Sequence, residues 1–135
     1  MSLFKVFDVS GSALSAQSVR LNTIASNMAN ANVASYTAEG AYRAKHPVFA
    51  AVLAQQGGAE GVRIDGIVES QAPPVIEHDP GHPLADADGN VFYSGVNQIE
   101  EMADWMSAES TYRSNVEIMS TVKQLMLRTL QIGRS

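Results

Sequence analysis

The sequence predicts an α+β protein in which two long terminal α-helices form an antiparallel coiled-coil pair, joined by an extended, β-hairpin-rich middle segment. Apolar residues recur at intervals of three and four near both ends of the chain, as one face of a helix requires. The middle of the chain is instead rich in Pro, Gly and Asp. Because the chain must go out and return, we expect residues 1–34 and 97–135 to form one helical domain and residues 35–96 the middle segment.

The C-terminal helix has the clearer pattern. Asn97 fits an N-cap, and Glu100 three residues later completes a capping-box pattern. No Pro or Gly occurs from residue 98 to 132, and Gly133 suits the position just past the helix end. This predicts a helix about 50 Å long at 1.5 Å per residue. Its main apolar stripe consists of Trp105, Ala108, Tyr112, Val116, Met119, Val122, Met126 and Leu130.

A second helix is predicted from about residue 3 to 30. Phe7, Leu14, Leu21 and Met28 recur every seven residues, and Ile24 lies in the same seam. Gly11 and several serines weaken the intrinsic helix propensity but leave a slim surface that another helix can approach closely. We predict the helix seams at Phe7, Leu14, Leu21, Ile24, Met28, Trp105, Tyr112, Val116, Met119, Val122, Met126 and Leu130.

The helices carry more apolar surface than one partner helix needs. Ile118, Leu125 and Ile132 form a second row beside the main C-terminal stripe. Four methionines, at positions 102, 106, 119 and 126, fit either core filling or an adaptable interface, and we favour the interface. Surplus apolar surface of this kind predicts further partners, so the expected function is self-assembly.

The middle segment is predicted to be extended and rich in turns. Residues 62–68 alternate as a strand does, with Gly66 as a possible bulge, and residues 42–49 suit an edge strand because they contain Pro47. Asp88-Gly89 before Val91 is a hairpin turn signal, and Gly57-Gly58 is typical of a loop tip.

Composition excludes several classes of site and partner. The chain has no cysteine, which excludes disulfides, thiol catalysis and Cys-based zinc sites. Residues 60–117 carry twelve acidic side chains against two arginines, whereas residues 118–135 carry three basic and no acidic ones. An acidic middle disfavours nucleic acid as a partner. It fits either a solvated surface or complementary packing between subunits. We expect no membrane insertion, and if the chain leaves the cytoplasm, it does so by a route other than a cleaved signal peptide, since Lys5 and Asp8 interrupt the first apolar run.

Two clusters contain side chains of the types that ligate metals. Glu77-His78-Asp79-Pro80-Gly81-His82-Pro83 holds histidines and carboxylates, but its prolines and glycine favour a tight turn. The segment from Asp86 to Asn97 begins as an EF-hand loop does, yet has Val91 and Asn97 where that loop needs Gly and Glu. No nucleophile motif or phosphate loop is present. We therefore predict no enzyme activity, cofactor or metal.

These residues also carry a family resemblance. Residues 21–32, LNTIASNMANAN, resemble the N-terminal signature of bacterial flagellar rod and hook proteins, with Asn27, Asn30 and Asn32 as its polar members. Ala41-Tyr42-Arg43, Pro47-Val48-Phe49, Asp79-Pro80-Gly81-His82-Pro83 and the ending Ile132-Gly133-Arg134 follow in an order similar to that of the short rod members, over nearly the full length.

The resemblance implies a structural role. Such a protein would be a subunit of the periplasmic rod of the flagellar basal body, which transmits torque from the motor to the hook. Its terminal helices would form an inner coiled-coil layer, ordered by assembly, around a central channel. Expected partners are other copies of the chain, other rod proteins, the adapter at the base of the rod and the flagellar type III export apparatus. A cytosolic helical adaptor and a small metal-dependent hydrolase remain the alternatives.

Overall fold

A computed structural model describes residues 2–53 and 59–133 and confirms the α+β class. The elements are α1 (Leu3–Asn30), β1 (Ala34–Ser35), β2 (Lys45–Leu53), β3 (Ala59–Glu69), β4 (Val75–His78), β5 (Asn90–Tyr93) and α2 (Gln98–Ile132). Both helices have the bounds that the sequence predicts. Gly57-Gly58 and Arg134 lie outside the described residues.

The helices begin and end where their caps predict. The Asn97 Oδ1 accepts hydrogen bonds from the Ile99 N–H at 3.1 Å and the Glu100 N–H at 3.4 Å, so Asn97 is the N-cap of α2. At the end of α1, the Asn30 Nδ2 donates to the Ser26 carbonyl at 2.8 Å, and the last turn tightens into bonds between residues three apart. α2 ends at Ile132, directly before Gly133.

The chain divides into two compact units. One comprises Met1–Leu21, Pro47–Gly66 and Met106–Ser135, and the other comprises Asn22–His46 and Ile67–Trp105. The first unit therefore holds the start of α1 with the end of α2, and the second holds the end of α1 with the start of α2. α1 and α2 accordingly pack against each other in antiparallel directions.

The strands form two small sheets, and the pairs β1–β5 and β4–β5 are antiparallel. β2 and β3 make a two-stranded sheet, and β1, β5 and β4 make a three-stranded sheet in that order. In the three-stranded sheet, Phe92 of β5 is paired with Ile76 of β4 on one side and with Ser35 of β1 on the other. β3 contains the predicted strand 62–68, and β2 begins three residues later than predicted and extends to Leu53.

The Asp88-Gly89 signal is a turn, but it does not join two strands directly. Gly89 has a φ of +79°, in the left-handed region, and its N–H donates to the Asp86 carbonyl at 3.0 Å. β5 follows this turn and pairs with β4, which lies before residue 79. An eleven-residue loop therefore connects the two strands, because the Asp79–Pro83 turn lies between them.

Candidate assembly interface

The predicted helix seams are mostly covered within the chain itself. On α2, the covered positions follow spacings of four and three: Glu101, Trp105, Ala108, Tyr112, Asn115, Met119, Val122 and Met126. On α1, Phe7, Leu14, Leu21 and Met28 are half-buried and Ile24 is buried. This 3.5-residue repeat is that of a coiled-coil seam, so the helix pair buries one face of each helix.

Two residues of the predicted α2 stripe lie outside this covered face. Val116 is 45% exposed and Leu130 is 65% exposed. They belong to a separate row, the lysine strip, which also follows spacings of four and three: Val116, Ser120, Lys123, Leu127 and Leu130. All five of its side chains are exposed.

A second exposed row, the arginine strip, lies on the other side of the covered face. It contains the three residues predicted as a second row, Ile118, Leu125 and Ile132, together with Thr121 and Arg128. All five are exposed, and Ile132 reaches 76%. The C-terminal half of α2 thus has three apolar faces, of which only one is covered by its own chain.

The outer face of α1 has smaller side chains than the two exposed strips of α2. Its positions at the same spacing are Phe4, Asp8, Gly11, Ser15, Ser18, Asn22, Ala25 and Ala29. Except for half-buried Gly11, they are exposed, and most are small. A face of small side chains lets a neighbouring helix approach closely, whereas the strips of α2 present large ones.

The methionines divide between the two environments. Met119 and Met126 are half-buried on the covered face. Met102 and Met106 are exposed, on the side of α2 opposite to Ala108. Each half of α2 therefore presents apolar side chains to its surroundings.

The signature asparagines have three different environments. Asn27 is fully buried, Asn30 caps the end of α1, and Asn32 is exposed. The Asn27 Nδ2 donates to the Lys45 carbonyl, and its Oδ1 accepts bonds from the Lys45 N–H and the Tyr42 hydroxyl, all at 2.9 Å. The sequence analysis did not predict this network. The available signal is that Asn27, a polar residue, occupies a covered heptad position between Ile24 and Ala31, which indicates a specific hydrogen-bond partner.

The turn at Asp79–Pro83 is held by its own polar groups. The Asp79 Oδ1 accepts the Gly81 N–H at 3.2 Å, and the His82 Nδ1 accepts the Leu84 N–H at 3.0 Å. Asp86 continues the pattern, because its Oδ1 accepts the N–H groups of Asp88 and Asn90. Pro80 packs close to Gly89, where an added Cβ would lie 2.9 Å from the Pro80 Cγ.

Within residues 2–53 and 59–133, no group of three or more His, Asp or Glu side chains is arranged to hold a metal ion. No helix there is both long and apolar enough to cross a membrane.

Comparisons with known proteins match both helices. Residues 7–37 match the family model described as flagella basal body rod protein, and residues 87–132 match the model of the C-terminal region of the flagellar basal body rod proteins FlgE, FlgF and FlgG. The first match spans most of α1 and β1, and the second spans β5 and α2.

The chain is also similar to curated proteins over its whole length. It is 45% identical over 134 residues to the flagellar basal-body rod protein FlgC of Salmonella typhimurium, with 99% of this chain and 100% of that protein covered. FlgC of Yersinia enterocolitica is 48% identical over 136 residues, with the same coverage. FlgC of Buchnera aphidicola from Acyrthosiphon pisum is 37% identical, with 98% and 99% covered. The chain therefore belongs to the FlgC family of flagellar basal-body rod proteins.

Proposed function

We propose that this chain is a structural, non-enzymatic subunit of the periplasmic flagellar rod, joined to neighbouring subunits through the exposed strips of α2. The observation that carries the proposal is the pair of uncovered strips beside the covered face of α2. Large apolar side chains exposed along two sides of one helix are unfavourable in water and are typical of a surface that a partner covers.

The mechanism is mechanical. A helix with three apolar faces contacts α1 of its own chain on one face and neighbouring subunits on the other two. Copies of this chain and other rod proteins would then form a continuous helical tube. Such a tube transmits torque because each subunit is held by long helices on several sides, so that twisting one layer displaces the next.

Further partners follow from this role. The family resemblance gives the flagellar type III export apparatus as the route of delivery and the adapter at the base of the rod as a further partner in this proposal. The slim outer face of α1 suits the large side chains of a neighbouring helix. Assembly orders helix surfaces at a cost in conformational entropy, which burial of the strips offsets.

The test compares two substitutions at adjacent positions of α2. Leu125 lies in the arginine strip, whereas Gln124 is exposed and belongs to neither strip. In the native host lacking its own copy of the gene, Leu125→Asp should abolish swimming and the presence of the chain in isolated basal bodies. Gln124→Asp adds the same charge to the same helical turn and should support normal swimming.

Export is measured separately, from the chain recovered in the periplasm and the medium. Normal swimming and incorporation with Leu125→Asp would refute the role of the arginine strip. A wild-type chain that stays in the cytosol and is missing from sheared basal bodies would favour a cytosolic helical adaptor instead.

A further inference from the structure

The sheet β1-β5-β4 and the loop between β4 and β5 carry carboxylates but no Lys or Arg side chain. No Lys or Arg occurs between Arg63 and Arg113 in the sequence. Glu77, Asp79 and Asp88 are all exposed, and the Asp79 N–H bonds the Gly89 carbonyl at 2.9 Å, which places Asp79 beside the Asp88-Gly89 turn. The three carboxylates therefore share one end of the sheet.

Exposed apolar side chains lie next to these carboxylates. Val75, Ile76 and Leu84 are 57%, 60% and 40% exposed. β4 is the last strand of its sheet, and all four of its residues are exposed. We call the surface formed by Val75, Glu77, Asp79, Leu84 and Asp88 the acidic lobe.

The acidic lobe is built as a fixed surface. Within the loop, the His82 N–H bonds the Asp79 carbonyl at 3.1 Å and the Ala85 N–H bonds the His82 carbonyl at 3.0 Å. The Asp86 N–H bonds the Asn90 carbonyl at 2.9 Å, which closes the loop onto β5. A compact loop held by its own hydrogen bonds loses little entropy when it docks, so it suits recognition.

The C-terminal half of α2 has the complementary character. The chain has no acidic residue after Glu117, and Lys123 and Arg128 are exposed. Neither cation forms an ion pair within the described part of the chain. Each lies among exposed apolar side chains, Lys123 beside Leu127 and Arg128 beside Leu125.

We propose that the acidic lobe of one copy docks on the arginine strip of α2 of a second copy, with Glu77 and Asp88 facing Arg128. The inference rests on the proposed function and names the contact that joins successive copies. The second copy is the occupant because it offers opposite charge and exposed apolar side chains together, as a specific interface needs. The contact is head-to-tail, so it leads to a ring or to an open helical assembly and not to a two-fold dimer.

The absence of cysteine from the natural chain allows a direct test by cross-linking. Two chains, one carrying Glu77→Cys and the other Arg128→Cys, are expressed together in the native host, and isolated basal bodies are treated with a short thiol cross-linker. A covalent dimer should form only when both chains are present. As a control, the second chain carries Ser110→Cys instead of Arg128→Cys. Ser110 is exposed on the first half of α2, so no dimer should form.

Charge exchange provides the second readout. Arg128→Glu should lower the amount of chain per basal body about tenfold, because like charges then face each other. Adding Glu77→Lys and Asp88→Lys to the same chain should restore the amount to within about twofold, since the lobe and residue 128 again have opposite charges.

The outcomes separate the two proposals. Chains that enter basal bodies without forming the mixed dimer would overturn the lobe contact and leave the role in the rod intact. Failure of the three-residue exchange to restore incorporation would also overturn the contact. Absence of the wild-type chain from basal bodies would overturn the proposed function itself.

Discussion

Asn27 binds both backbone polar groups of Lys45, donating to its carbonyl and accepting from its N–H at 2.9 Å each. At the first residue of β2, the amide side chain therefore makes the two backbone hydrogen bonds that a neighbouring strand would otherwise make. Because Asn27 is fully buried, water cannot substitute for these bonds. The position of β2 relative to the end of α1 thus depends on one side chain that no shorter or charged residue reproduces.

Asn27→Ala should lower the free energy of unfolding by about 3 kcal/mol, since it leaves the Lys45 backbone and the Tyr42 hydroxyl without their partner. Urea unfolding measures the change. Asn27→Asp should cost at least as much, because a carboxylate cannot donate to the Lys45 carbonyl. Asn32→Ala, at an exposed position of the same signature, should stay within about 0.5 kcal/mol of wild type. Equal losses at positions 27 and 32 would contradict the network.

A second close approach holds β3 against α1. The Ser12 Oγ accepts the Val62 N–H at 3.0 Å and donates to the Val9 carbonyl at 2.8 Å. A Cβ at Gly61 would lie 2.5 Å from this Oγ, and the φ of +156° at Gly61 disfavours other residues.

Gly61→Ala should therefore destabilise the chain by about 2 kcal/mol, through displacement of Ser12 and backbone strain. Gly66→Ala is the matched control in the same strand, because a Cβ there meets no atom of the described residues within 4 Å. Thermal unfolding should show a lower melting temperature for the first variant and little change for the second. If Gly61→Ala costs as much stability in a Ser12→Ala background as in the wild-type chain, the strain lies in the backbone and not in the contact with the Ser12 hydroxyl.

The loop before β5 depends on Asp86. Asp86→Ala removes two hydrogen bonds, to the N–H groups of Asp88 and Asn90, and should cost about 1–2 kcal/mol. Asp88→Ala removes a carboxylate of the same turn that forms no such bond and should leave stability nearly unchanged. Hydrogen exchange at the Asp88 and Asn90 amides reports the effect locally. Unaltered exchange in Asp86→Ala would mean that the backbone bonds from Gly89 to Asp86 and from Asp86 to Asn90 hold the turn alone.

The sequence predicts the helices well because their information is local. Asn97 caps α2, and the repeat of apolar residues runs without interruption to Ile132, one residue before Gly133. Periodicity also predicted the second row of Ile118, Leu125 and Ile132, which is exposed as a surplus row should be. The period does not say which row faces the partner helix, since neighbouring rows are almost equally apolar. For this reason the sequence predicts Val116 and Leu130 in the same stripe as Val122, although their exposed side chains lie in the lysine strip.

Long-range contacts were less accessible to sequence reasoning. β1 has two residues and β4 has four, too few for a pattern, and they pair through β5 across more than ten residues of chain. Glu101 lies in the first turn of α2 and is buried on its covered face, which a charged side chain does not predict. In each case the partner is distant in sequence, so local propensity carries little information about it.

The covered face and the exposed strips of α2 should separate folding from assembly. Val122 is buried and Leu130 is 65% exposed, although both belong to the apolar stripe predicted from the sequence. Val122→Ser should lower the free energy of unfolding of the isolated chain by about 2 kcal/mol, because it removes buried apolar atoms and places a hydroxyl among them. Leu130→Ser should change it by less than about 0.5 kcal/mol.

In the native host the order of severity should reverse. Leu130→Ser removes an apolar contact of the lysine strip and should reduce incorporation into basal bodies, even though the isolated chain is as stable as wild type. Val122→Ser should regain incorporation at lower growth temperature, where enough chain is folded, whereas Leu130→Ser should not. Equal stability losses in the isolated variants would mean that Leu130 is covered within the chain. Normal incorporation of Leu130→Ser would mean that no neighbouring subunit covers the lysine strip at this position.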